Sequence, residues 1–344
     1  RAGADSPRRD RRREFHHRGR RGGHEGRTAE FGGRRQSGAG AENVAAAEAG
    51  IAALLDAEIA AAGTLVLDID EGDSVNLSSL KLYGKVKLVK TGKGSGGLGD
   101  GTDFAGFKYV EVRDNGTWVY GVNGLPGPQH LEPGQVFTFA EANTKMRVGT
   151  QCAFTNFWLR ETGSAVGGTH SIGTQYDNQQ WYRGKLAICG TPPDDETVFT
   201  GTFIETVDFR WDPASSAKSF VLSGKTSTTT GNVEVANGTM RLTAGASYSQ
   251  LGSLTISGGA NTRFVVDTVP NAAFHAQYLM LSTGNEKVSL AAGVTLTVSR
   301  AAVGGTRLGA NTYTSANASW IEGAGQVVVE GIGGDRLNWV DGSA

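Results

Sequence analysis

Hydrophobic and polar residues alternate along most of the chain, in short pulses that begin at Thr64. Leu65, Leu67 and Ile69 form the first pulse, and Gly, Asn or Asp residues separate the later ones. Alternation with a period of two is typical of strands that bury one face, and Gly, Asn and Asp favour turns. The pattern therefore predicts many short strands joined by turns.

The clearest run of pulses lies between residues 231 and 298. Successive groups of alternating apolar residues occur there, namely Val233/Val235, Met240/Leu242, Leu254/Ile256, Phe264/Val266, Leu279/Leu281, Val288/Leu290 and Val294/Leu296/Val298. Turns are predicted between them at Asn237-Gly238, Gly258-Gly259 and Gly284-Asn285. Strands this short gain a common core when each pairs with the strands above and below it, so we expect a right-handed parallel β-helix, which is a solenoid. A β-sandwich is the alternative fold, although it prefers longer and more evenly spaced strands.

A helical period occurs at residues 41–63, AENVAAAEAGIAALLDAEIAAAG. Apolar residues recur there at intervals of three and four, at Val44, Ala47, Ile51, Leu54, Leu55 and Ile59. This spacing is typical of a helix with one buried face, and Gly63 stands where a helix ends. We expect a short helix that caps a β-helix spanning residues 64–331.

Residues 1–40 differ in composition from the rest of the chain. They contain twelve Arg, five acidic residues and almost no aliphatic residue, so they lack the apolar surface that a folded core requires. We interpret them as a disordered Arg/Gly-rich leader, linker or cloning remnant. The alternative is an arm that binds nucleic acid or another polyanion through Arg20, Arg21, Arg34 and Arg35.

The remaining residues carry no broad basic surface. The chain has a formal charge of −1 and residues 1–40 carry +7, so residues 41–344 carry −8. A mildly acidic body does not attract nucleic acid or anionic lipid, and nucleic acid is not an expected partner. No run of about 18 apolar residues occurs, which excludes a membrane-spanning helix.

Three segments carry a resemblance to a known repeat family. Lys85–Gly94 reads KVKLVKTGKG, which resembles the LVKTGxGxL signature of autotransporter-associated β-strand repeats. Gly231–Asp267 resembles another unit of this class, and Gly304–Gly331 is similar to the closing segment of related repeat proteins. The resemblance implies a passenger-type β-helix of a large exported bacterial protein, secreted or located on the cell surface. It also implies a longer polypeptide, in which residues 332–344 start a further, truncated module.

The KVKLVKTGKG motif has a physical interpretation of its own. Gly92 and Gly94 can adopt positive φ at a tight corner of a coil. Leu88 is expected to face the core and Lys90 to face water. After Gly94 the sequence departs from the repeat, which predicts a local loop or insertion.

Residues 95–230 are predicted to form an irregular, loop-rich middle of the β-helix. A stretch of aromatic, amide and charged side chains occurs within it and includes Tyr176, Asp177, Trp181, Tyr182 and Arg183. Aromatic rings stack on the C–H faces of sugars while polar groups bind their hydroxyls. We therefore expect a carbohydrate-binding site, and an ordinary solvated loop is the alternative.

Acidic residues suggest two further sites. Asp68, Asp70 and Asp73 offer the oxygen ligands that calcium prefers, but their spacing does not fit an EF-hand loop, so we expect a solvated strand edge. We expect no cofactor and no metal site, and a calcium ion held by these aspartates is the alternative. For catalysis the candidates are Asp208 and Asp212 together with the basic residues Arg183 and Arg210, and a charged outer face is the alternative interpretation.

No motif of a nucleophilic enzyme is present, since the sequence lacks G-x-S-x-G, H-E-x-x-H and P-loop patterns. Cys152 and Cys189 do not have zinc-site spacing and form either one disulfide or two buried thiols. We interpret the chain as a structural or adhesive β-helix segment of an exported bacterial surface protein. Its expected partner is a polysaccharide or a glycan on a host or environmental surface. The alternative is a carbohydrate-active enzyme, either a polysaccharide lyase or a glycosidase, with a groove at residues 167–212.

Overall fold

A computed structural model gives the structure of most of the chain. It describes residues 53–54, 57–77, 86–98, 109–121, 129–131, 135–150, 152–175 and 183–331. The predicted leader at residues 1–40, the first part of the predicted capping helix and the predicted further module at residues 332–344 lie outside these ranges.

The described chain consists almost entirely of short strands and turns. The N-terminal strands are β1 (Gly63–Asp68), β2 (Ser74–Asn76), β3 (Val86–Thr91), β4 (Ser95–Leu98), β5 (Tyr109–Val112), β6 (Thr117–Tyr120), β7 (Gln129–Leu131), β8 (Val136–Phe139), β9 (Lys145–Val148) and β10 (Cys152–Thr155). The middle strands are β11 (Trp158–Glu161), β12 (Ser171–Thr174), β13 (Lys185–Gly190), β14 (Glu196–Phe199), β15 (Thr202–Phe203), β16 (Asp208–Pro213), β17 (Ser219–Ser223), β18 (Thr226–Ser227), β19 (Asn232–Val235) and β20 (Thr239–Thr243). The C-terminal strands are β21 (Ser247–Tyr248), β22 (Leu251–Ile256), β23 (Arg263–Val266), β24 (Phe274–Leu281), β25 (Lys287–Leu290), β26 (Thr295–Val303), β27 (Thr306–Arg307), β28 (Asn311–Thr314), β29 (Ile321–Gly323) and β30 (Gln326–Val329). A short 3₁₀-helix, Gly163–Ala165, lies between β11 and β12.

The strands stack into three faces along the solenoid. Face A contains the sheet β1-β3-β5-β8-β11 and then the sheet β14-β17-β20-β23-β25-β29. Face B contains β2, β4, β6, β9, β12 and β15, followed by the pair β18-β21. Face C contains β7, β10, β13, β16, β19, β22, β24, β26 and β30, and neighbouring strands on all three faces are parallel. The fold is a β-solenoid of about nine stacked parallel coils, which confirms the predicted parallel β-helix over the β-sandwich.

Columns of apolar side chains form the core. One column on face A contains Phe220, Met240, Phe264, Val288 and Ile321, each stacked on its register partner in the next coil and nearly fully buried. All of the apolar groups predicted between residues 231 and 298 are buried in the same way. Burial of side chains of this size contributes about 1.5–3 kcal/mol each. The predicted turn residues Gly238, Gly259 and Gly284 have positive φ.

Leu88 and Lys90 both point into the core, so the expectation that Lys90 faces water is wrong. Both side chains are fully buried, because residues two apart on a strand lie on the same side of a sheet. Lys90 Nζ donates a hydrogen bond to Gly92 O. Burial lowers the pKa of the Lys90 ammonium, and the charges of Asp68 and Asp114 oppose this shift without cancelling it.

Gly92 and Gly94 are required at the corner after β3 for different reasons. Gly92 has a φ of +72°, as predicted. Gly94 does not adopt positive φ, which corrects the expectation for this residue. A Cβ atom at Gly94 would lie 2.3 Å from Asp70 O, so this position excludes a side chain by close backbone approach.

Part of the predicted helix at residues 41–63 is described, and residues 57–61 are helical. Two residues of this region, Ile59 and Ala62, pack on an apolar cluster of Tyr109, Val136 and Trp158. These three residues are register partners on face A. Because Val110 beside Tyr109 points into the core, the cluster lies on the outer side of face A and the helical segment covers it.

Cys152 and Cys189 are not joined by a disulfide. In the register of β10 and β13, Cys152 pairs with Leu186 and Cys189 pairs with Thr155. The two cysteines therefore differ by three positions along the strands and lie on opposite sides of the sheet. The structure therefore contains two separate thiols and no disulfide between them. Cys152 is buried, as expected for this alternative, and Cys189 is only half-buried.

An antiparallel strand closes the C-terminal end of face C. β28 pairs with the outer edge of β30 and is the terminal strand of this sheet. Trp320 is nearly buried at the end of the core, and its ring lies 5.9 Å from that of Tyr313.

Candidate functional site

The outer side of β16 carries three charged side chains in a row. Asp208, Arg210 and Asp212 are partly exposed, while the residues between them are buried. The period of two places all three on the solvent side of face C. Arg183 joins them, with its NH1 3.4 Å from Asp208 Oδ1. The structure thus places the four residues that the sequence suggested for catalysis on one outer surface, where they form two pairs, Arg183 with Asp208 and Arg210 with Asp212.

Asp208 Oδ1 accepts hydrogen bonds from two residues. Asn232 N lies at 2.6 Å and Asn232 Nδ2 at 3.1 Å, and the third donor is Arg183 NH1. Burial raises the pKa of the Asp208 carboxyl, and the bonds from Asn232 and the charges of Arg183 and Lys185 oppose this shift without cancelling it. Within the part of the chain that the structure describes, Asp208 Oδ2 accepts no hydrogen bond. One carboxylate oxygen therefore has no hydrogen-bond donor among the described residues.

Arg210 is held between two carboxylates. Its NH2 lies 2.8 Å from Asp212 Oδ2, and its NH1 lies 2.6 Å from Glu234 Oε2. Burial disfavours the charge, but the bonds to Asp212 and Glu234 outweigh it and raise the pKa of Arg210 above its ordinary value. A raised pKa works against proton abstraction by a base, so the geometry of Arg210 suits an ion pair.

The spacing of the carboxylates limits the chemistry that they can share. Asp208 and Asp212 are four residues apart on one strand, a distance of about 13 Å at roughly 3.3 Å per residue. The paired carboxylates of glycosidases lie roughly 5–9.5 Å apart. Glu234 is diagonal to Asp208 on the next strand, at about 7–8 Å. Its oxygens accept hydrogen bonds from Arg210 and Ser257.

A line of outward polar side chains runs from this surface across the later coils of face C. The strand register, together with the hydrogen bonds from Asn232 to Asp208, places the following residues on successive strands, in the order Lys185, Asp208, Asn232, Ser253, Tyr278 and Arg300. We refer to these six residues as the face C column. Ser253 Oγ donates a hydrogen bond to Asn232 Oδ1 at 2.8 Å. With strands about 4.8 Å apart, the column extends about 24 Å parallel to the solenoid axis.

The predicted sugar-binding segment leads into this column. Four of its residues lie outside the described ranges, namely Tyr176, Asp177, Trp181 and Tyr182. Gln175 before them lies beside a small depression on face B. Arg183 after them contacts Asp208. The chain therefore leaves face B before this segment and reaches the face C column directly after it.

The acidic residues suggested for calcium do not converge. Asp68 Oδ1 accepts a hydrogen bond from Thr91 Oγ1 at 3.0 Å, and Asp70 and Asp73 are exposed. In the described ranges, no group of three His, Cys, Asp or Glu side chains is arranged to hold a metal ion.

Asn232, Ser253 and Glu234 are members of this surface that no motif in the sequence indicates. Asn232 and Glu234 alternate with buried residues on β19, which is a signal of outward orientation, whereas Ser253 follows the partly exposed Gly252 on β22. The sequence contains no signal for their alignment with Asp208, because the alignment depends on the register between coils.

Comparison with known proteins gives no match to a family model, a curated protein or a solved structure. The resemblance to autotransporter-associated repeats therefore stays a prediction, since the shape of a solenoid does not identify a repeat family. The helical part of the described chain offers no segment with the length and apolar character needed to cross a bilayer.

Proposed function

We propose that this chain is a structural and adhesive segment of an exported bacterial surface protein. In this proposal the surface formed by Arg183, Asp208 and Asn232, together with the segment at residues 176–182, binds a polysaccharide. The chain would act by holding a rigid binding surface and would not turn over its ligand.

One observation carries the proposal: Arg183 joins the predicted aromatic segment to a line of outward polar groups on a parallel sheet. Backbone hydrogen bonds between coils fix the positions of these groups, so little conformational entropy is lost when a ligand binds. Asp208 Oδ2 and the exposed Arg183 guanidinium supply an acceptor and donors for hydroxyl groups. A linear polymer can bind several such groups at once, so weak contacts add up along the chain.

The test is binding of the full 344-residue chain to a panel of plant, algal and host polysaccharides. Arg183→Ala and Trp181→Ala should each weaken binding to the preferred polysaccharide about tenfold or more, which corresponds to about 1.4 kcal/mol. Arg263→Ala is the matched control, because Arg263 is a half-exposed arginine on face A with its own partner, Glu322. Binding that is absent across the panel, or that falls equally in the control, would contradict the proposal.

The location on the cell surface rests on the repeat resemblance. It is tested by treating intact cells that carry the gene with protease and detecting the chain by antibody. Degradation before lysis is expected. Protection until lysis would overturn the proposed location without affecting the binding measurement.

A second function, hydrolysis or elimination of a polysaccharide, is favoured by the raised pKa of Asp208 and by its diagonal relation to Glu234. A carboxyl group that stays protonated to a higher pH is suited to act as a general acid. Release of reducing ends and absorbance of unsaturated products should then be lost in Asp208→Asn and Glu234→Gln. Turnover that is absent from the wild-type chain would exclude this second function for the tested polysaccharides.

A further inference from the structure

β28 (Asn311–Thr314) is the last strand of the face C sheet. Among the described residues it pairs with β30 and with no other strand, so its second edge faces away from the sheet. The strand reads NTYT and contains neither a charged residue nor a proline, which are the residues that commonly keep a sheet edge from pairing with another chain. Thr and Tyr also favour strands. The composition of β28 therefore suits pairing with a strand of another molecule.

The backbone groups at the outer edge of β28 already have hydrogen-bond partners, and the Asn317 side chain supplies two of them. Thr314 N donates to Asn317 Oδ1 at 2.8 Å, and Asn317 Nδ2 donates to Thr312 O at 3.1 Å. Alternate residues of a strand direct their backbone groups to the same edge, and because these groups bond to Asn317 they belong to the edge away from β30. A carboxamide offers the same donor and acceptor as a peptide group. The Asn317 side chain therefore takes the place of a residue on a further strand.

The other backbone groups of this edge are also bonded. Thr312 N donates to Asn311 Oδ1 at 2.8 Å. Thr314 O accepts from Ala318 N at 2.9 Å and from Asn317 N at 3.1 Å. All four backbone groups of Thr312 and Thr314 thus have partners within residues 311–318. Pairing of this edge with another chain would require these bonds to break.

The turn that carries Asn317 is held in place by its neighbours. Trp320 is nearly buried, and its ring lies 5.9 Å from that of Tyr313. Ser315 Oγ donates to Gly323 O at 3.0 Å, and Gly323 belongs to β29, the last strand of face A. Asn317 itself is exposed. Truncation of the Asn317 side chain should therefore leave the core intact.

We propose that residues 311–318 form an edge cap, which prevents a second copy of this chain from pairing with β28. Asn317 is the central residue of the edge cap, because its side chain occupies both an acceptor and a donor position that a paired strand would need. The edge cap involves neither Arg183 nor Asp208, so this inference does not depend on the proposed function.

The test is sedimentation velocity of the full chain over a wide range of concentrations. Asn317→Ala leaves Thr314 N and Thr312 O without their side-chain partner, so it should self-associate with a dissociation constant at least about tenfold lower than that of the wild type. Adding Thr312→Lys to Asn317→Ala should reverse the association, because a lysine on an edge strand opposes pairing with another chain. Asn285→Ala is the matched control, since Asn285 is an exposed asparagine in the turn between β24 and β25.

Circular dichroism and thermal melting of each variant separate association from loss of folding. Asn317→Ala should keep the β-sheet spectrum of the wild type. Equal association of the wild type and Asn317→Ala, association that persists in the double variant, or equal association in Asn285→Ala would each overturn the proposal. Loss of the native spectrum in Asn317→Ala would also overturn it, because Asn317 would then support the fold itself and not the closure of an edge.

Discussion

His170 Nε2 lies 2.8 Å from Glu161 Oε1, and both side chains are buried inside the solenoid. Thr200 completes the group, since its N donates to Glu161 Oε1 and its Oγ1 donates to Glu161 Oε2, each at 2.6 Å. The His170 ring packs against Phe139 and Phe199, with centroid distances of 4.6 and 5.1 Å. A polar group is thus enclosed by an aromatic core, where it connects the coil of β11 to the coil of β14.

Glu161→Ala should strongly destabilise the solenoid. The substitution leaves the buried His170 Nε2 and two donors of the half-buried Thr200 without an acceptor, and each buried donor left unsatisfied costs about 1–3 kcal/mol. Chemical denaturation followed by circular dichroism measures the loss. Glu196→Ala is the matched control, because Glu196 is an exposed partner of Arg241 and surface ion pairs contribute about 1 kcal/mol or less. Similar losses in the two variants would contradict this account of the core.

Lys90→Met should change how stability depends on pH. Because burial lowers the pKa of Lys90 from its ordinary 10.5, the unfolded chain binds more protons than the folded chain in the window between the lowered value and 10.5. The Lys90 contribution to stability therefore rises with pH through that window. Thermal midpoints of the wild type between pH 7 and about 10 should rise relative to those of Lys90→Met.

Buried tyrosines set the highest pH at which the effect of Lys90 on stability can be measured. Burial raises the pKa of Tyr109, Tyr120 and Tyr248, so their contribution to stability falls above about pH 10. Lys93→Met is the control, since Lys93 is an exposed partner of Glu71 near the same corner. Curves for wild type and Lys90→Met that stay parallel would show that Lys90 keeps its ordinary protonation.

The stability of Asp208→Asn should increase relative to that of the wild type as pH rises. Burial raises the pKa of Asp208 above its ordinary 3.8, so the folded chain holds this proton more tightly than the unfolded chain. The Asp208 contribution to stability therefore falls as pH rises from 3.8 through the raised value. The difference in thermal midpoint between Asp208→Asn and the wild type should increase from about pH 3 up to the raised pKa of Asp208 and then level off. Asp212→Asn, on the same outer side of β16, is the control, and a difference that falls with pH in Asp208→Asn would contradict the raised value.

Gly94→Ala should destabilise the corner after β3. The added methyl group would lie 2.3 Å from Asp70 O and 2.5 Å from Ile69 Cγ2, and relief of such overlap costs about 1–3 kcal/mol. Gly63→Ala is the control, because a Cβ atom there has no neighbour within 4 Å and the backbone is not left-handed. Thermal melts of the two variants should differ by several degrees, and equal midpoints would show that the corner can shift to accommodate a side chain.

The alternation of residues was enough to predict the strands, because it reflects a local property of the backbone. Val233 and Val235, like the other apolar groups up to Val298, are buried as expected. The same period also indicates that Lys90 shares the side of Leu88. The expectation that Lys90 faces water is wrong because it uses charge, and not position along the strand, to assign exposure.

The candidate surface could be predicted only in part. Asp208, Arg210 and Asp212 lie two residues apart on one strand, so their common orientation follows from the period of two. The contact of Asp208 with Asn232 joins residues 24 positions apart, and it forms because parallel backbone hydrogen bonds align β16 with β19.

Local patterns in this chain therefore specify the strands, the turns and the stacking of short strands into a solenoid. The stacking register specifies which outward residues become neighbours, including those of the face C column. It also encloses Glu161 and His170 together in the core. The physical reason is that inward or outward orientation depends on adjacent residues, whereas alignment between coils depends on hydrogen bonds and packing summed over distant parts of the chain.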